Sequence, residues 1–331
     1  MQTFVGVGGD LTEGKLRFLA QIGVDSVAVV PEPGPQDKGF YSFETLITTR
    51  TAVESYGLQC GNLRLLPWRW TYKWMLGLPG REEQIENYLT TIRNVGAAGI
   101  PIITYNMHAL RFYRTSRNAL ARGGANATSF DFELVRNAPL MSGGPGTDMD
   151  LVPESHRKPI TDQQMWSNLE YFLKAATPVA EQAGVRLALH PDDPPIPQIA
   201  GVARIMRSPE AFRKMLDLVP SKASGIAFCQ GCFTEMGADI PAEIRYFGGK
   251  GKIFFVDFRN IIGKPDRFRE AFPDEGQADL VAAMKAYKEV GFKGPMTPDH
   301  VVHMHGDTEW GHRYWAYAIG HIKGLAAAVG A

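Results

Sequence analysis

Cysteine is scarce in this 331-residue chain: Cys60, Cys229 and Cys232 are the only three. An odd, small number in a large chain argues against a secreted disulfide framework and makes a reducing cytoplasm the expected location. Net charge is absent too, with Lys+Arg and Asp+Glu both at 35. That removes the electrostatic argument for a nucleic-acid or polyanion partner. No window reaches about 18 consecutive apolar residues, so no membrane span is expected. The start, MQTFVGVGGDLTEGK, lacks a basic stretch followed by an apolar run, which gives no sign of a signal peptide. No GxGxxG follows a strand and there is no Walker loop, so nucleotide-binding folds lack their fingerprint. Internal repeats and low-complexity tracts are also missing.

What is present is an alternation of short apolar runs and amphipathic stretches. The runs are Thr3–Val7, Asp25–Val30, Gln59–Leu65, Ile100–Tyr105, Val185–His190, Gly225–Cys229, Ile253–Asp257 and Gly294–Pro298. Their β-branched, apolar character suits parallel strands covered on both faces. Between them lie helical patterns at Glu13–Gln21, Phe43–Tyr56, Glu82–Ala98, Asp162–Ala183, Pro209–Leu218, Ala242–Phe247, Ala278–Val290 and His312–Ala328. Several end on a glycine just before the next strand, as in AAGIP, QAGVR and EVGFK, which is helix C-cap chemistry. Eight β–α pairs with no spare elements predict one α/β domain over residues 1–331, a (β/α)8 TIM barrel. Two connections are long, one after the third strand (Pro67–Arg81) and one after the fourth (Asn106 to about Pro159). Loops of that length on the active face act as lids or subunit contacts, so a homo-oligomer is the expected assembly.

Ligand-type residues end four consecutive predicted strands: His190, Cys229, Asp257, and Asp299 beside His300. A barrel gathers such ends into one cup. An imidazole, a thiolate and two carboxylates suit Mn²⁺, Fe²⁺, Co²⁺ or Zn²⁺ better than the oxygen-seeking Mg²⁺ or Ca²⁺. Each also has an ordinary reading. A strand-end His is often a satisfied polar group, and Cys229 could be a small buried hydrophobe. Asp257 could pair with Arg259, and Asp299 could accept from His300. Cys229-Gln-Gly-Cys232 is a single CxxC with no second pair, so Cys232 reads as packing rather than structural zinc. In the loops, Arg111, Arg114 and Arg117 are candidates to clamp a carboxylate, against the alternative of solvated arginines. Trp68, Trp70 and Trp74 are candidates to stack on a sugar ring, against ordinary packing; His108 points the same way.

The segments LGLPGREEQIENY, RGGANATSFDFELVRNAPL, LALHPDDPP, GIAFCQGCFTEMG, RYFGGKGKIFFVDFRN and the Pro-Asp-His at 298–300 resemble the mannonate dehydratase family. This is a group of metal-dependent, xylose-isomerase-like barrels, and the resemblance runs from about Phe43 to Leu325. It implies a β-elimination that removes water from a sugar acid, D-mannonate giving 2-keto-3-deoxygluconate. It also implies Mn²⁺ or a similar cation on His190, Cys229, Asp257 and Asp299, with His300 catalytic. Two positions depart from the family pattern: Asp257 stands where the family has His, and Trp310 aligns with a catalytic Tyr. Tyr314 is the nearest phenol that could serve instead. These departures leave room for a metal-dependent isomerase or epimerase of a related sugar, and for a sugar-binding barrel without catalysis. A small sugar acid or sugar is the partner expected, with Trp70, His108, Arg111 and Arg114 as candidate substrate contacts.

Overall fold

The structure is a computed structural model describing residues 1–8 and 11–331. The chain begins β1 (Gln2–Gly8), α1 (Glu13–Gln21), β2 (Ser26–Val30), α2 (Phe43–Glu54), β3 (Gln59–Arg64), α3 (Tyr72–Leu76), α4 (Arg81–Ala97) and β4 (Ile102–Tyr105). It continues through β5 (Ser116–Leu120), β6 (Asn126–Asp131), α5 (Asp162–Ala183), β7 (Arg186–Leu189), β8 (Gln198–Ile199), β9 (Val202–Ala203) and α6 (Pro209–Leu218). It closes with β10 (Ser224–Cys229), α7 (Gln230–Glu235), α8 (Ile240–Gly249), β11 (Ile253–Asp257), β12 (Ile261–Lys264), β13 (Arg267–Glu270), α9 (Leu280–Glu289), β14 (Pro295–Thr297) and α10 (His312–Val329).

Eight of these strands pair in the closed order β1-β14-β11-β10-β7-β4-β3-β2, the expected parallel barrel. Phe4, Ala28, Ile102, Ala188, Ala227 and Phe255, from six different strands, form a core of their own inside it. The rings of Phe4 and Phe255 meet edge to face at 5.5 Å across the interior. A larger apolar layer joins the strands to the helices outside. Helix boundaries follow local chemistry. Thr161 and Gln164 form a capping box at the start of α5, and Gly184 ends it at φ 67°, a conformation that costs glycine nothing.

The expectation of no spare elements does not hold. β12, β13, β6 and β5 form a separate four-stranded antiparallel sheet, and β8 and β9 a two-stranded one. β5 and β6 lie within the long connection after β4, so that segment is partly sheet rather than plain loop. Their alternation is broken by RGG and polar residues, which hid them. The connection after β3 also carries structure: a 3-10 turn at Trp68–Trp70 and then α3. Its tryptophans are buried. Trp74 stacks on Phe172 of α5 at 4.1 Å, and Trp68 stacks on Tyr72 at 4.7 Å. These rings serve as packing between layers.

Candidate active site

Strand period places the site. Residues two apart share a face, so the inward parity that puts Ala188, Ala227 and Phe255 in the interior core puts His190, Cys229 and Asp257 directly above them. Cys229 and Asp257 are register partners between β10 and β11, and Asp257 pairs in turn with Thr297 of β14. Asp299 follows two residues later in the left-handed region (φ 63°), strained backbone of the kind kept at functional sites. The cup therefore collects all four residues read as ligands.

Its geometry suits a cation. Cys229, Asp257 and Asp299 each place a ligand atom within 4.8 Å of the others, and so do His190, Cys229 and Cys232. His190 Nε2 lies 3.2 Å from Asp257 Oδ2. The Oδ2 atoms of Asp257 and Asp299 are buried without a hydrogen-bond partner among the described residues. His190 donates from Nδ1 to the Pro191 carbonyl at 2.7 Å, which turns Nε2 toward the cup; a backbone acceptor on the far nitrogen is the usual support for a metal-bound imidazole. With no cation, that nitrogen faces a carboxylate and needs a proton. Burial opposes the charge, but Asp257 and Cys229 outweigh it and raise the imidazole well above its ordinary range. Burial likewise opposes ionisation of Cys229, yet hydrogen bonds from Cys232 and His190 and the nearby Arg259 bring its thiol down to about 6. A thiolate at neutral pH is the form that binds metals.

Cys232 is more than packing: it sits beside Cys229 and lies 3.4 Å from Arg259 Nη1. A second acidic group, Asp193, Cys232 and Glu235, surrounds Arg259. That guanidinium reaches Asp193 at 3.3 Å, Glu235 at 2.7 Å and Glu270 at 2.7 Å, so a protein cation already fills it. Asp257 is not among its partners, which sets aside the Asp257–Arg259 pairing considered above.

His300 stands at the rim, 25% exposed at its side chain, with Nε2 3.2 Å from Asp299 and Nδ1 3.4 Å from Glu270. One carboxylate thus orients the ring from behind while the other nitrogen faces the cup. Tyr314 is buried in the wall beside Phe272. Burial, then the charges of Glu270 and Asp299, hold its phenol protonated far above its ordinary range. Trp310 points elsewhere, against Phe18 of α1 and Trp315.

The loop candidates fare differently. Arg114 grips Asp193 with two 2.7 Å bonds and reaches Glu270 at 3.0 Å, so its guanidinium is engaged as wall structure. Trp70 is buried against Tyr41 at 5.0 Å, a packing position away from the cup. His108 is buried, its Nε2 on the same Pro191 carbonyl that holds His190, and its ring is 5.7 Å from that of His190. It braces a ligand. Arg117 is exposed on β5, whereas Arg111 lines a cleft of about 490 Å³ shared with Tyr41, Trp68 and Asp148, and its Nε is buried without a partner among the described residues. The sequence reading missed Arg64, Asp193, Glu235 and Glu270. Arg64 shares the inward parity of Asn62, but ending β3 at Leu65 hid it; Glu270 lies on a strand that was not foreseen.

The comparisons with known proteins agree with this architecture. A family model described as D-mannonate dehydratase (UxuA) matches residues 3–331. Mannonate dehydratase 2 of Halalkalibacterium halodurans is 32% identical over 289 residues, covering 83% of this chain and 81% of that protein. The crystal structure of mannonate dehydratase from Streptococcus suis serotype 2 superposes with a TM-score of 0.87 at 29% identity, covering 99% of this chain and 93% of that one. A xylose isomerase domain protein from Planctomyces limnophilus shares the fold at a TM-score of 0.63 and 14% identity, covering 99% of this chain and 98% of its own. The chain belongs to the D-mannonate dehydratase family.

Proposed function

We propose that this chain dehydrates D-mannonate or a closely related hexonate to the 2-keto-3-deoxy acid, with His190, Cys229, Asp257 and Asp299 holding a divalent cation of the Mn²⁺ type. The observation that carries the reading is the crowding of buried ligand atoms: the Oδ2 oxygens of Asp257 and Asp299 face only the imidazoles of His190 and His300 at 3.2 Å, beside a thiol poised to ionise. Buried carboxylates packed beside a thiolate are costly, and a cation relieves that cost. When bound, the cation supplies positive charge next to the substrate carboxylate, which makes the adjacent C2 proton removable.

The remaining chemistry belongs to side chains. The C2–H bond breaks and its electron pair forms the C2–C3 double bond. The C3–O bond breaks, and its oxygen leaves as water with one added proton. The resulting enol tautomerises to the ketone. His300 has the geometry of the group that moves a proton: one face is backed by Glu270 and the other opens on the cup. Tyr314, kept as a neutral phenol, is the hydrogen-bond donor for the departing hydroxyl. Arg111 supplies donors to the far end of the sugar acid from its cleft. The family relationship fits a cytoplasmic enzyme, and among the described residues no helix is long and apolar enough to cross a membrane.

His300→Ala tests this assignment. It should bind Mn²⁺ as the parent does and lose about 10²- to 10⁴-fold in kcat, the usual contribution of a positioned acid–base group. Undiminished turnover would remove His300 from the chemistry.

A further inference from the structure

Arg64 ends β3 on the inward face and lies in the cup itself. Its Nη2 is 2.8 Å from Asp299 Oδ1 and 3.4 Å from Asp257 Oδ1. The other oxygen of each carboxylate, Oδ2, is buried and faces an imidazole at 3.2 Å, His190 for Asp257 and His300 for Asp299. One guanidinium thus fixes one oxygen of each acid and leaves the second of each turned to the histidine side of the cup. Space for it depends on Gly6 of β1, where a Cβ would stand 3.3 Å from Arg64 Nη1. Across the cup, Asp257 ends β11, at the position where the family resemblance implies a neutral histidine. With Cys229 as thiolate, two aspartates and a neutral His190, a divalent cation leaves the cup one charge negative. Arg64 brings that sum to zero. A neutral cup is one that an anionic sugar acid can enter without repulsion.

We propose that Arg64 is the counter-ion of Asp257, a positioning residue that holds the two acidic ligands with one oxygen each toward the metal and cancels the charge Asp257 adds. The inference rests on the metal reading given above.

Mn²⁺ titration followed by the EPR signal of free Mn²⁺, with no substrate present, tests it in four variants. Removing a cation a few ångströms from a divalent ion removes Coulomb repulsion, so Arg64→Met should bind Mn²⁺ about tenfold tighter or more. Arg64→Lys keeps the charge and should stay near the parent. Asp257→His leaves Arg64 uncancelled and should bind about tenfold weaker or more. The double variant Arg64→Met with Asp257→His should return close to the parent, because the two changes cancel. In turnover, Arg64→Met should raise KM for D-mannonate about tenfold, with a smaller change in kcat. A double variant that stays as weak as Asp257→His alone, or as tight as Arg64→Met alone, would overturn the proposal. So would unchanged Mn²⁺ affinity in Arg64→Met, or weaker binding that lysine does not rescue. Because the titration uses no substrate, its result stands apart from whether the chain dehydrates a hexonate.

Discussion

Pro191 offers one carbonyl oxygen to two histidines, and this small arrangement governs much of the cup. His190 donates to it from Nδ1 and His108 meets it with Nε2, so a carbonyl can fix both tautomers at once. His108 is held neutral: burial, then the charge of Arg204, lowers its pKa well below 6.5. Such a depressed group costs stability in acid. Below about 6.5 the unfolded chain takes up a proton that the folded chain refuses, so stability falls as pH drops toward the folded value. His108→Gln should therefore lose less melting temperature than the parent between about pH 7.5 and about pH 5.5. His190 works in the opposite sense but is common to both proteins, so the difference isolates His108. An equal loss in both would show that His108 takes up its proton in the folded state.

At the scale of elements, the barrel was legible because its strands are short, apolar and evenly interrupted by helices. Three helices, α1, α5 and α6, begin and end where the pattern placed them. The ligand-type residues were legible for the same reason: strand ends in a barrel share one rim, and period two stacks them over the interior core. What was not legible depended on contacts distant in sequence. β12 and β13 were not foreseen at all; β13 pairs with β6 on one side and β12 on the other, and it carries Glu270 to His300. Trp70 and Trp74 read equally as lid or core, and only the position of Tyr41 and α5 decides for core. Truncating a buried aromatic of this kind costs about 3–5 kcal/mol, so Trp74→Ala should lower the denaturant midpoint markedly while leaving Mn²⁺ affinity unchanged. A full loss of Mn²⁺ binding in a still-folded Trp74→Ala would instead tie that loop to the cup.

Formal charge sums to zero over the chain, so attraction for an anionic substrate has to come from local groups such as Arg111. His190, Cys229, Asp257 and Asp299 come from the end of β7, from β10, from β11 and from the segment after β14, so a cation held by all four would tie the second half of the barrel together. Binding to the folded state alone adds about 2.7 kcal/mol at a hundredfold excess over Kd. Chelation should accordingly lower the melting temperature, and a chelator-independent melt would argue against a metal on these four residues. The aromatic loops that suggested a homo-oligomer turn most of their rings inward, and sedimentation velocity gives the assembly directly. The central claim is the reaction, and product mass tests it most directly. Metal-free protein reloaded with Mn²⁺ and given D-mannonate should yield a 2-keto-3-deoxy acid lighter than the substrate by one water. A product of unchanged mass, or none from protein shown to hold Mn²⁺, would contradict dehydration and point to an isomerase, an epimerase or a binding protein on the same barrel.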